Sequence, residues 1–200
     1  MIPKIKFVYS SIYDRKYREA PGIIKFLEEK GEKYPSPTTI IKYISLVERL
    51  WRKQENKILR EISSISKLKW QEKEIKCYVI GQGRPFSDPL TIRIYKNKND
   101  FIDTLTHELI HQIFTQNSSK GLNYWKYLRK NYNNESRITQ NHIPLHAIHK
   151  KLYLNLFNKK RLNNNIKKSQ EFGDYKRAWE IVEKEGYENI IKEFRKRIKT

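Results

Sequence analysis

Apolar residues recur every three or four positions along most of the chain, which is the period of amphipathic helices. The longest such stretch covers 38–68, with charged residues on the opposite face. The same period predicts further helices over 21–30, 101–116 and 122–132, one from 135 or 141 to 157, and two over 169–199 that are divided at Gly186. Alternating or β-branched runs predict strands at 5–9, 75–80 and 90–95. The pattern therefore predicts a mostly helical α+β fold with a small three-stranded sheet preceding the helix at 101–116.

The length of 200 residues suits one domain with a modest helical extension. We expect a single domain over 1–200, made of an N-terminal strand and helices (1–70), a central core (71–158) and a C-terminal helical extension (159–200). No run approaches 18 uncharged apolar residues, so no membrane span or membrane partner is expected. The first residues lack the apolar stretch of a secretory signal, and one cysteine cannot form an internal disulfide. Both observations predict a cytoplasmic protein.

Basic residues outnumber acidic ones, 42 against 22, which gives a formal net charge of +20. Such a charge is compatible with nucleic-acid binding, because lysine and arginine displace counterions from phosphates. The basic residues are nevertheless spread over the whole chain, and many lie beside glutamate at helical spacing. This distribution favours a solvated basic surface over a dedicated nucleic-acid face. An aromatic content of 12% excludes a disordered chain.

One segment of the predicted helix at 101–116 carries specific chemistry: His107-Glu108-Leu109-Ile110-His111. Two histidines four positions apart lie on one helix face and can bind a single Zn²⁺ through ring nitrogens. The glutamate after the first histidine can act as general base toward a water activated by that metal. The neighbouring residues at 104–105 and 112–113 are uncharged, which is typical of a helix buried everywhere except on its metal face. The motif therefore predicts a zinc-dependent hydrolase.

With this motif following a small sheet, the region 75–157 resembles the zincin metallopeptidases. Phe114 and Asn117 occupy positions where the metzincin branch has glycine and histidine, so the chain is most similar to the gluzincin branch, and in length to the small archaeal gluzincin-type peptidases. The resemblance implies a zinc metalloendopeptidase that acts on peptide or protein substrates. It also implies that 90–95 is an edge strand holding the substrate in extended form, with Thr91 and Arg93 as substrate-binding residues.

The motif leaves the third zinc ligand open. The gluzincin resemblance implies a glutamate from a later helix, often preceded by asparagine, and Asn134-Glu135 matches this, so we predict Glu135. At helical spacing, His142, His146 and His149 continue the same stripe beyond Glu135. His142 is the alternative third ligand. His146 is either a ligand or a catalytic residue that hydrogen-bonds the developing oxyanion, and His149 is interpreted as a core residue.

Two alternatives to a peptidase stay open. The first is a basic nucleic-acid-associated metalloprotein similar to the SprT-like proteases, although these usually add cysteine ligands and this chain has only Cys77. The second is a non-catalytic helical interaction module with a degenerate zinc site. The presence of Glu108 favours an enzyme over this module, because zinc binding alone does not need that carboxylate.

Overall fold

The computed structural model describes residues 1–198, and these form a mostly helical α+β protein, as predicted. No helix in this part of the chain is both long enough and apolar enough to cross a lipid bilayer. In chain order, the described elements are β1 (Lys4–Val8), α1 (Ser11–Arg18), α2 (Pro21–Glu29), α3 (Pro37–Arg52), α4 (Glu55–Ser66), β2 (Glu74–Ile80), β3 (Phe86–Ser87), β4 (Leu90–Arg93), α5 (Lys98–Gln116), α6 (Ser118–Asn131), α7 (Arg137–Leu156), α8 (Lys159–Ser169), α9 (Gly173–Glu185) and α10 (Tyr187–Arg197).

The sheet has the strand order β1-β2-β4-β3. The strands β1, β2 and β4 are parallel, and β3 pairs antiparallel with β4. The three predicted strands are all present, but the predicted number of strands is wrong because β3 adds a fourth. Only two residues long, β3 lies in a loop rich in glycine and proline, where no alternating pattern can develop.

The prediction that 90–95 is an edge strand is also wrong. Thr91 of β4 pairs with Tyr78 of β2 on one side and with Phe86 of β3 on the other. The strand β4 is therefore internal over its first residues, and β3 forms the edge of the sheet.

The single helix predicted over 38–68 is instead two helices, α3 and α4. The break lies just before Glu55, whose carboxylate accepts hydrogen bonds from the Ile5 backbone N–H at 2.8 Å and from Trp51 Nε1 at 3.0 Å. Arg52 also donates to this carboxylate and to the Ile5 carbonyl. The turn thus places a buried, fully paired acid against β1, an arrangement that the apolar spacing alone does not encode.

The chain divides into two compact units. One consists of Ile2–Asn56 and Glu72–Gln112 and contains the sheet. The other contains Lys57–Gln71 and the chain from Ile113 onward, and in it α7 packs against α8, α9 and α10. Neither unit is one continuous stretch of the chain.

The helix α7 runs unbroken from Arg137 to Leu156 and includes Pro144. Its N-terminus is capped by Ser136, whose hydroxyl accepts from the Thr139 backbone N–H at 3.0 Å. Glu135 therefore lies before the helix and not on the stripe that carries the histidines, whereas His142, His146 and His149 are all buried on α7.

Candidate metal centre

The helix α5 presents the two motif histidines on one face. Their ring centroids lie 5.1 Å apart, and both side chains are half-buried. Leu105, Leu109 and Ile110 on the remaining faces are fully buried. The helix is thus enclosed except along the histidines, as the uncharged neighbours of the motif predict.

Polar contacts fix α5 against the sheet of its own unit. The Gln112 side-chain amide donates to the Ser87 carbonyl of β3, and Thr104 Oγ1 donates to Tyr95 Oη at 3.2 Å. Thr106 Oγ1 turns inward to the Ile102 carbonyl one turn back, at 2.7 Å. The strand that the sequence pattern missed therefore helps to position the motif helix.

Glu108 is buried between the two histidine positions of α5, with only 7% of its surface exposed. Burial disfavours the carboxylate and raises the pKa of Glu108 to about 8. At pH 7 a carboxyl group with this pKa is mostly protonated, and a cation bound beside it would lower the pKa again. Burial, and secondarily the charge of Glu108, also raise the pKa of the Cys77 thiol, which fits the role of a small apolar core residue for that cysteine.

His142 on α7 has the tautomer that metal binding requires. Its Nδ1 atom lies 2.7 Å from the Ile138 carbonyl oxygen. Because a carbonyl oxygen only accepts hydrogen bonds, Nδ1 carries the proton and Nε2 carries the lone pair. Burial also lowers the pKa of His142, which keeps the ring neutral.

The structure brings three of the predicted residues together. His107, His111 and His142 each offer one ring nitrogen, and these atoms all lie within 4.8 Å of one another. For comparison, nitrogens that share one tetrahedral zinc ion lie about 3.3 Å apart. Three neutral imidazoles with a further position open to water form one of the ligand sets found in catalytic zinc sites.

The predicted third ligand, Glu135, has a different partner. Its Oε1 atom accepts hydrogen bonds from Arg177 Nε at 2.9 Å and Nη2 at 2.7 Å. This ion pair raises the pKa of the Arg177 guanidinium. Glu135 is not a member of the three-histidine group, and a ligand role would require it to give up the guanidinium.

The other two histidines of α7 pack against aromatic rings. His146 stacks on Trp179 with a centroid separation of 4.3 Å and an angle of 11° between the rings. His149 meets Tyr153 edge-on at 4.4 Å, and burial, aided by the charge of Arg161, lowers its pKa to about 3. The core role predicted for His149 agrees with this packing. The catalytic role of His146 stays a prediction.

Sequence reasoning missed Tyr175, whose ring lies 4.2 Å from that of His142. Tyr175 and Trp179 are one turn apart on α9 and cover His142 and His146, which are one turn apart on α7. The matching four-residue spacing is visible in the sequence, but the pairing of the two helices is not.

The predicted substrate-binding residues have internal partners. Thr91 is fully buried, and its hydroxyl donates to the Pro89 carbonyl at 2.8 Å and lies 2.9 Å from Tyr13 Oη. Arg93 donates to Gln82 Oε1 at 3.0 Å and lies over the ring of Tyr95 at 4.4 Å. A role for either residue in substrate binding stays a prediction.

Comparison with known proteins adds no relative: no family model, no curated protein and no solved structure matches this chain. Any functional assignment therefore depends on the residues and geometry described above, and chiefly on the three histidines with Glu108.

Proposed function

We propose that this chain is a zinc-dependent metallopeptidase in which His107, His111 and His142 bind the metal and Glu108 is the general base. The main support is that three histidine nitrogens lie within 4.8 Å of one another. A buried carboxyl group, that of Glu108, follows the first of these histidines in the sequence. Peptide or protein substrates and a cytoplasmic location complete the proposal, the latter because the single cysteine suits a reducing compartment.

His142 is the better third ligand for two reasons. Its nitrogen belongs to the three-histidine group, and its hydrogen bond to the Ile138 carbonyl orients the ring, as such hydrogen bonds orient metal-binding histidines in other proteins. Glu135, by contrast, is already paired with Arg177. We therefore assign the ligand role to His142 and a structural ion pair to Glu135.

The residues around the site would divide the chemistry between them. When bound, zinc supplies Lewis acidity, which makes water acidic enough to lose a proton near neutral pH and polarises a peptide carbonyl. Glu108 would accept the proton of the attacking water and then donate it to the leaving amine. Because Glu108 is buried, its carboxyl would exchange this proton with the reacting groups rather than with bulk water.

The direct test of the metal centre is the zinc content of the purified full-length chain. We expect plasma emission spectroscopy to find about one zinc ion per chain. A chelator should remove this zinc, and added zinc should restore the same content. A wild-type protein that contains no zinc as purified and binds none when zinc is added would contradict the proposal.

The test of catalysis uses Glu108→Gln, which keeps the shape of the side chain and removes its proton affinity. We expect this variant to retain zinc and to lose cleavage of an unfolded protein substrate by a hundredfold or more, about the contribution of general-base catalysis. Glu29→Gln, which makes the same acid-to-amide change at an exposed position of α2, is the matched control. Zinc binding without any cleavage by the wild type would instead identify a non-catalytic metal site.

Nucleic-acid association is the second candidate function, and one observation favours it. The helix α8 carries five basic residues and no acidic one, and Lys160, Asn163, Asn164 and Lys167 are exposed on one side of it. Lysine and asparagine side chains at this spacing can contact successive phosphates. Affinity for mixed-sequence DNA that falls steeply between 50 and 200 mM salt, and falls further in Lys160→Glu, would support this candidate.

A further inference from the structure

The helical unit contains a cleft that has no part in the proposed metal centre. It has a volume of about 310 Å³, part of it open to solvent, and lies beside α6 and α10. Its lining combines three tyrosines with two glutamates: Tyr124, Tyr127, Tyr132, Glu185 and Glu193. Aromatic faces and carboxylates share one preference, which is for cations.

Tyr124 lines this cleft and supplies a hydroxyl group without a partner among the described residues. The residue is only 1% exposed, and its hydroxyl makes no hydrogen bond with any residue among 1–198. Although the residue is buried, its hydroxyl oxygen is not fully enclosed by protein, so a group in the cleft can reach it. The Tyr124 oxygen can therefore accept a hydrogen bond from a donor that enters the cleft.

Glu185 places a carboxylate at the mouth of the same cleft. Its Oε2 atom accepts a hydrogen bond from Tyr132 Oη at 2.6 Å. This contact fixes the carboxylate, and none of the described residues donates to Oε1. A second, charged acceptor thus accompanies the Tyr124 hydroxyl.

An internal cation shows that these groups accept positive charge. The Arg197 guanidinium lies 4.1 Å from the centroid of the Tyr127 ring and forms an ion pair with Glu193. Arg197 thus contacts one of the three tyrosine rings and one of the two carboxylates. The acceptors of Tyr124 and Glu185 are left for a ligand.

We propose that this cleft binds a primary alkylammonium group, the class that includes the lysine side chain and simple linear amines. Such a group carries one positive charge and three N–H donors. It has enough donors to serve both Tyr124 Oη and Glu185 Oε1, and the tyrosine rings of the lining favour its charge. A quaternary ammonium has no donor, and a neutral alcohol has no charge, so both satisfy the site only in part.

The test is a titration of the full-length chain with n-butylammonium chloride, followed by two-dimensional NMR. We expect saturable shifts confined to the amides of α6, the end of α9 and α10, with those of β1 and β2 unchanged. Parallel titrations with tetramethylammonium chloride and butan-1-ol should give binding at least about tenfold weaker. Equal binding of either control compound, or no saturable binding of n-butylammonium, would overturn the proposal.

Two variants with a matched control locate the site. Glu185→Gln should weaken n-butylammonium binding about tenfold, because it removes a charge-assisted hydrogen bond. Tyr124→Phe should weaken it about threefold through loss of a neutral one. Glu188→Gln changes the charge equally at an exposed position outside the cleft and should leave affinity unchanged. An equal loss in Glu185→Gln and Glu188→Gln would show only general surface attraction and would contradict the assignment.

Discussion

The role of the α5 histidines can be predicted from the sequence much better than that of the α7 histidines. His107 and His111 are neighbours because one helical turn separates them, and their ring centroids lie 5.1 Å apart. On α7, three histidines share a similar spacing, yet only His142 belongs to the three-histidine group with His107 and His111, while His146 and His149 pack against aromatic rings. Spacing along one helix therefore predicts a pair of ligands, whereas the choice among candidates on a second helix depends on tertiary packing.

The largest effect should follow the loss of a motif histidine. His111→Ala removes one of the three proposed ligands. With the zinc-binding free energies of structural sites as a guide, zinc affinity should fall about a thousandfold. Competition with a fluorescent zinc chelator measures this directly. Retention of wild-type affinity would show that the α5 pair is not a metal-binding pair at all.

The next test separates the two candidate third ligands. His142→Ala should also weaken zinc binding by about a hundredfold or more, because it removes a ligand. Glu135→Gln should leave zinc affinity unchanged and lose only the ion pair with Arg177, measured as a small drop in melting temperature. The reverse result would restore Glu135 as the third ligand and remove the distinction drawn here between the histidines of α7.

His149 should make stability depend on pH. Its pKa is about 3 in the folded protein and about 6.5 when unfolded, so the unfolded state binds more protons between these values. Its contribution is complete above about pH 6.5 and is lost as pH falls toward 3. At pH 5 the loss is about 2 kcal/mol, which urea unfolding of zinc-free protein at pH 5 and 7 can measure.

The variant His149→Leu isolates this contribution from those of the other histidines. The difference in unfolding free energy between pH 7 and pH 5 should shrink by the same amount in the variant. An unchanged difference would mean that His149 titrates normally and is not a core residue.

The smallest effect is expected at Tyr175, which contacts His142 without being a ligand. Tyr175→Leu should lower zinc affinity about tenfold, the range found for residues that orient metal ligands. Tyr187→Leu, on α10, serves as the control. Equal zinc affinities of the two variants would mean that Tyr175 does not orient His142 and that contacts within α7 alone do so.

Much of the fold follows from periodicity. The spacing of apolar residues predicted the motif helix and most of the others, and alternation predicted three of the four strands. The break between α3 and α4 escaped prediction because Glu55 is held by contacts with β1 that are distant in sequence. The strand β3 escaped because two residues show no period.

In the candidate site, too, local features could be predicted and tertiary contacts could not. The roles of His107, Glu108 and His111 as a group could be proposed from local spacing alone. The ranking of Glu135 above His142 rested on resemblance, and nothing in the sequence shows that Arg177 pairs with Glu135. Tyr175 could not be found, since its contact with His142 depends on how α9 lies along α7.

The short strand β3 has a consequence for how a peptide would be selected. A chain that pairs with β3 at this edge of the sheet has only Phe86 and Ser87 as strand partners, so it gains about two backbone hydrogen bonds there. Main-chain pairing is then too brief to fix the register of a bound chain, and side-chain contacts such as those of the exposed Phe86 ring must do so. The Gln112 side chain of α5 donates to the Ser87 carbonyl, so a displacement of this edge would also move Gln112, the residue next to His111.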